Sequence, residues 1–171
     1  MADIPSTPAD GNVMVLIVPT LADPDAPKLS ELNAVSVADI SCYLTSDGFT
    51  PSLSEQAIAD ERLCSTQTFE QPGRSSRGLD VVYIDNTNSP NAATDNKAKS
   101  TLIPGSSAYL VVRRGLPFDA ALAATTQKVS VWPIKPGQYS DLPPEANSVL
   151  KTAQKLFVTG PVRTDVAIAT S

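Results

Sequence analysis

Proton-transfer chemistry near neutral pH most often uses an imidazole, and this 171-residue chain has no histidine. Ser-His-Asp triads, Cys-His dyads and His-bearing zinc sites are thereby excluded. Ser148-Val149-Leu150-Lys151 has the S-x-x-K spacing of serine acyl-enzymes, which need both side chains on one helix face. Here it opens a strand-like segment, where residues three apart point to opposite faces, and no K-T-G accompanies it. The pairs Asp60-Glu61 and Asp23/Asp25 have the residue type for acid–base work or a hard cation. Neither sits in an Asp-rich loop, and a solvated face accounts for both. The eight glycines never approach a phosphate-cradling motif. Cys42 and Cys64, with no C-x-x-C, read as reduced, half-buried thiols, although a bridge between neighbouring strands stays open. Arg74, Arg77, Arg113 and Arg114 read as partners in surface ion pairs, and Trp132 with Tyr139 as either core or an aromatic ligand shelf. No cofactor and no metal is expected.

The elements that would position these residues are mostly strands. Val13-Met14-Val15-Leu16-Ile17-Val18 is apolar at both parities, so both faces of that strand must be covered. It is also the longest apolar run, far short of the roughly 20 residues of a membrane span. One helical turn is expected over residues 29–34, then a strand-like stretch ending at the turn dipeptide Asp47-Gly48. Residues 52–64 are ambiguous, because Ser52-Leu53-Ser54-Glu55 matches a helix capping box. Further strands are expected over residues 66–70, ending at Pro72-Gly73, and over 80–85, 108–114 and 129–134, the last followed by a Pro136-Gly137 turn. Others follow over 149–159 and 162–170, with Val166 and Ile168 on one face of the final piece and Arg163 and Asp165 on the other. Ser89 as N-cap and Pro90 at the first helical position predict the main helix, about residues 89–102. Residues 1–11 read as an extended arm of a single domain covering residues 1–171.

Composition narrows function further. Thirteen Lys+Arg against 18 Asp+Glu give a formal charge of −5, which lacks the basic footprint of a duplex-DNA binder. The N-terminal Met-Ala-Asp-Ile-Pro has no basic signal-peptide segment, so the chain is expected to be made in the cytoplasm without entering a membrane. With catalytic signals this sparse, shape and self-association remain.

Five strings then occur in series: Ser41-Cys42-Tyr43-Leu44-Thr45; Ser65-Thr66-Gln67-Thr68-Phe69-Glu70-Gln71-Pro72-Gly73-Arg74; Tyr109-Leu110-Val111-Val112-Arg113-Arg114-Gly115; Pro144-Glu145-Ala146-Asn147-Ser148-Val149-Leu150; and Leu156-Phe157-Val158-Thr159-Gly160-Pro161-Val162. In this order and spacing, over roughly residues 11–168, the chain resembles the major tail (tail tube) proteins of long-tailed, siphovirus-type phages infecting actinobacteria. The resemblance implies a mainly β fold, a two-sheet β-sandwich/barrel with one flanking α-helix and long loops and arms. It also makes residues 52–64 strand, overriding the capping box. It implies a structural virion protein with no enzymatic activity, assembled in the host cytoplasm into stacked hexameric rings that form the conduit for genome ejection. Implied partners are further copies of itself, the tape measure, tail-tip and tail terminator proteins, and double-stranded DNA in transient, non-specific passage.

Under that resemblance residues 1–11 and 44–53 become the stacking elements, with Leu44, Phe49 and Leu53 as the candidate ring-stacking loop. Asp60 and Glu61, expected mid-strand, become the candidate lumen-facing acids. Six copies at −5 each place a formal −30 on a ring, and a negative lumen repels phosphates within a Debye length of roughly 8–10 Å. The alternative is a monomeric β-sandwich adhesion module using Trp132 and Tyr139. A third reading, an enzyme, would require carboxylate-only or metal-dependent chemistry that no spacing here supports, with Asp60 and Glu61 as the residues to substitute.

Overall fold

The computed structural model describes residues 4–170, and the arm expected over residues 1–11 lies outside the described residues at positions 1–3. The chain folds as β1 (Val13–Val18), α1 (Leu29–Leu32), β2 (Ala38–Asp39), a 3₁₀ turn (Ser41–Tyr43), β3 (Leu44–Asp60), β4 (Phe69–Ile84), α2 (Lys97–Thr101), β5 (Ala108–Arg114), β6 (Lys128–Asp141), β7 (Lys151–Val158) and β8 (Arg163–Ala167). All strand pairs are antiparallel, in the order β2-β1-β5-β6-β7-β4-β3, and β8 pairs with β6 off this path. The expected mainly β fold of sandwich/barrel type is present, with its strands joined in one sheet curled into a half-barrel.

Strand β1 explains why the sheet has two cores. Val15 and Ile17 point into a cluster with Ile40, Leu79, Val81, Tyr83, Leu110, Trp132 and Leu156, drawn from both ends of the strand order, which only a curled sheet can bring together. Ala98 and Leu102, on and just after α2, close this cluster. Met14, Leu16 and Val18 point the other way, into a cluster with Leu21, Leu32, Val111, Val129, Val131 and Ile168. The expectation that β1 is covered on both faces therefore holds.

Three expected punctuation marks turn out to lie inside strands. Asp47-Gly48 does not end a strand: β3 runs through it with a register shift between Leu44 and Phe49. Pro72-Gly73 lies opposite the shift between Glu55 and Ala57, so the two strands expected on either side of it are one, β4. Pro136-Gly137 falls in the shift between Pro136 and Tyr139 of β6. Each is a bulge that bends a long strand, a role glycine and proline fill as readily as a turn. Gly48 is also forced by crowding, since a Cβ there would lie 2.1 Å from the Val82 carbonyl oxygen.

The main helix is shorter than expected. Only residues 97–101 are helical, and residues 89–96 form turns. Ser89 uses its hydroxyl to accept from the Asn91 N–H, Asn88 adopts φ of 65°, and the Asn86 amide donates to the Asp95 carbonyl. Short polar side chains that bond nearby backbone compete with a helix, and here they win. Residues 52–60 are strand and 61–64 lie in the turn after it, so the capping box at Ser52 is overridden.

Substituting Gly48→Ala is expected to destabilise the protein by about 2–3 kcal/mol, because the new methyl must displace backbone. Urea unfolding of the two proteins checks this, and Gly78→Ala, whose Cβ meets only the Ser52 hydroxyl, serves as the milder comparison.

Candidate assembly surface

The surface begins where β4 leaves the sheet. β4 pairs with β7 only over Leu79–Ile84, whereas it pairs with β3 as far as Phe69. Beyond Leu79 the two strands continue as a lone hairpin, with residues 51–59 exposed on β3 and nearly all of 69–77 exposed on β4. Ten residues at about 3.3 Å each carry the tip roughly 33 Å beyond the body. Leu53, Ile58 and Phe69 are each more than half exposed on it, and Leu63 at the tip is fully exposed.

The root of the hairpin is held by polar groups. Tyr83 donates its hydroxyl to Gln154 Oε1 at 3.2 Å, and Gln154 Nε2 donates to the carbonyls of Leu102 (2.9 Å) and Gly137 (2.8 Å). One buried amide thus joins β4, the end of α2 and the bulge of β6. Burial, helped by the nearby Asp85 carboxylate, pushes the Tyr83 phenol well above its ordinary value and keeps it a donor. Asp85, just past β4, accepts from Lys99 Nζ at 2.7 Å, from Thr152 at 3.1 Å and from the Thr87 backbone at 2.9 Å. Burial alone would raise the Asp85 pKa, but the hydrogen bonds from Lys99 and Thr87 outweigh it and hold the carboxyl far below the usual range. Where the hairpin departs, the Arg77 guanidinium stacks 5.9 Å from the Trp132 ring centre.

A second feature lies beside the root. Between the end of the N-terminal arm, β1 and the start of β3 runs a groove of about 520 Å³. Val13, Val15, Cys42, Leu44, Phe49 and Phe118 line it, with Arg114 and Asp10 among its polar residues. The Gly11 carbonyl accepts from Phe118 N–H at 2.9 Å, which fixes this wall.

The residues singled out from sequence are therefore scattered. Asp60 is the last residue of β3 and not mid-strand: its carboxylate pairs with Arg62 through two bonds (2.8 and 3.1 Å) and accepts from Gln71. Glu61 follows in the tip turn, exposed. Leu44 and Phe49 are not on a loop; they pack against the core and line the groove, while Leu53 stands on the hairpin. Cys42 and Cys64 are free and both exposed, not half-buried. The 17 residues of β3 stand between them, about 55 Å of strand, which excludes a bridge within one chain.

Trp132 is buried, so it offers no shelf with Tyr139. Lys151 pairs with Glu145 at 2.9 Å, and Asp25 pairs with Arg163. Arg113 belongs to no surface ion pair: it is buried, donating to the carbonyls of Pro117 (2.5 Å) and Ala120 (2.6 Å) and to Gln127 Oε1 (3.3 Å), with its Nε unpartnered. It clamps the loop after β5, a role that the pair Arg113-Arg114 does not advertise in sequence. Leu63 was equally invisible as a site, although a lone leucine between Arg62 and Cys64 in a polar turn is the signal that marks it. Among the described residues no three His, Cys, Asp or Glu side chains converge as metal ligands.

Asp85 yields a pH dependence. Its folded pKa is depressed, so its contribution to stability is complete above the unfolded value of about 3.9 and is lost as pH falls toward the folded value. Asp85→Asn is expected to lower stability by about 1–3 kcal/mol at pH 7, through loss of charge-assisted bonds, and by less at pH 3. Chemical denaturation at the two pH values measures the difference.

The family described as "Phage tail tube protein" matches over residues 1–171. No curated protein matches the chain. Among solved structures, a chain of "Cryo-EM structure of the anti-feeding prophage (AFP) baseplate, 6-fold symmetrised" is similar at 15% identity and a TM-score of 0.48, covering 92% of this chain and 95% of that one. With a whole-length family match, this chain belongs to the phage tail tube proteins, structural proteins of the virion tail.

Proposed function

We propose that the chain is the repeating subunit of the tail tube of a long-tailed phage, closing into hexameric rings that stack into the conduit for genome ejection. The observation that carries this is the hairpin of β3 and β4, which extends beyond its own core with both faces exposed and with β3 as an unpaired edge. An isolated two-stranded hairpin is marginal in water, and a long open edge invites pairing. Both features are resolved when further copies supply the missing contacts, and ring closure leaves no edge to aggregate. The resemblance of the five strings to tail proteins of phages infecting actinobacteria is what supports that host group. The tape measure, tail-tip and tail terminator proteins are the expected neighbours within the tail, and assembly belongs to the host cytoplasm.

On this reading the lumen wall is the bare face of β3, β4 and β7. Strand alternation puts Ser52, Ser54, Ser76 and Gly78 there with Asp80 and Lys155, opposite the buried Leu79, Val81 and Leu156. Affinity for DNA comes from cations that neutralise phosphates, and the two β7 lysines on this face are balanced: Lys155 lies across from Asp80, and Lys151 pairs with Glu145. Passing DNA meets small polar groups and slides. Asp60 and Glu61 then stand at the rim, where the hairpin tip meets the next ring, and not on the wall.

Purified protein mixed with its tail-tip initiator is expected to give tubes of stacked rings in negative-stain electron microscopy. A protein that stays monomeric under those conditions contradicts the proposal.

A further inference from the structure

The described surface offers a projecting apolar knob, Leu63 at the hairpin tip, and an apolar groove at the hairpin root. They cannot meet within one molecule, because the length of β3 separates them. We propose that Leu63 of one copy seats in the root groove of the next copy, locking hairpin tip to hairpin root. This rests on the tail tube reading and names the contact that joins successive copies.

Three features support a second copy as the occupant. The tip is ordered in advance: the Arg62–Asp60 pair spans its start, and Ser65 Oγ both accepts from Gln67 N–H and donates to the Gln67 carbonyl. Little entropy is then lost on docking. An opposite-charge pair is available, since Glu61 at the tip and Arg114 at the groove, which also holds Asp10, have no ion-pair partner among the described residues. The contact is also head-to-tail, using two different patches of one chain, so it propagates from copy to copy and does not stop at a dimer.

The docking has a chemical signature. Cys64 adjoins Leu63 and Cys42 lines the groove, so two thiols at opposite ends of β3 in one chain come together between copies. A short bismaleimide reads this without an oxidant: each thiol adds across one maleimide double bond, its proton ending on the neighbouring carbon. Assembled tubes treated in this way are expected to give a ladder of covalent multimers on denaturing gels, and Cys42→Ser or Cys64→Ser alone removes it.

Tubes without a ladder, or a ladder that persists in Cys42→Ser through tip-to-tip contact, overturn the proposal while leaving the tail tube reading intact. Failure of wild-type protein to form tubes at all removes that reading and this one with it. Leu63→Asp provides an independent check: being fully exposed, it leaves the thermal unfolding of the monomer unchanged but is expected to reduce tube yield about tenfold or more. Arg114→Glu is expected to reduce yield as well, with Glu61→Arg in the same chain restoring it. Normal assembly of Leu63→Asp overturns the proposal.

Discussion

A strand pair that runs past its core must be held at its root, and that constraint organises this molecule. β4 has β7 beside it and packs Leu79, Val81 and Tyr83 into an apolar cluster only as far as Leu79; beyond that point its sole partner among the described residues is β3. The interior is accordingly most elaborate at the root. There the Tyr83–Gln154 pair reaches the Leu102 and Gly137 carbonyls, Asp85 gathers Lys99 and Thr152, and Gly48 allows β3 to close on the Val82 backbone. A buried amide with its partners in place is stabilising, whereas one left partly bonded would cost more than an apolar core. The network therefore fixes where the hairpin points as well as how firmly the body is held.

The composition fits the same division. A soluble monomer with a self-sufficient fold has no need of Leu53, Ile58, Leu63 and Phe69 together on one exposed hairpin. In a subunit whose neighbours complete it, such residues are unfinished interfaces. On the proposed function, the short polar residues around Asp80 meet a different demand, since a surface that lets a polyanion pass must avoid unbalanced cations.

Much of the body was legible in the sequence because burial writes a strong pattern. The unbroken apolar run of β1 announced two covered faces, and the alternation of Val166 and Ile168 announced a half-covered final strand. The misreadings have a common cause. Asp47-Gly48, Pro72-Gly73 and Pro136-Gly137 are turn signals by local chemistry, yet each became a bulge because long-range pairing with β4, β3 or β7 continued on both sides. Ser89 and Pro90 announced a helix that the asparagines around them diverted into turns. The candidate surface was the least legible part, because the contact proposed for Leu63, Cys42 and Arg114 joins two molecules and no periodicity within one chain records such a contact.

The central claim, that the hairpin is completed by other copies and the body is complete alone, is tested most directly by amide hydrogen exchange on monomer and on assembled protein. The account predicts that in the monomer amides of residues 50–60 and 69–78 exchange far faster than those of β1, β5 and β7, and that assembly protects them strongly while leaving the body unchanged. Hairpin amides already as protected in the monomer as those of the body, or no better protected after assembly, would contradict it.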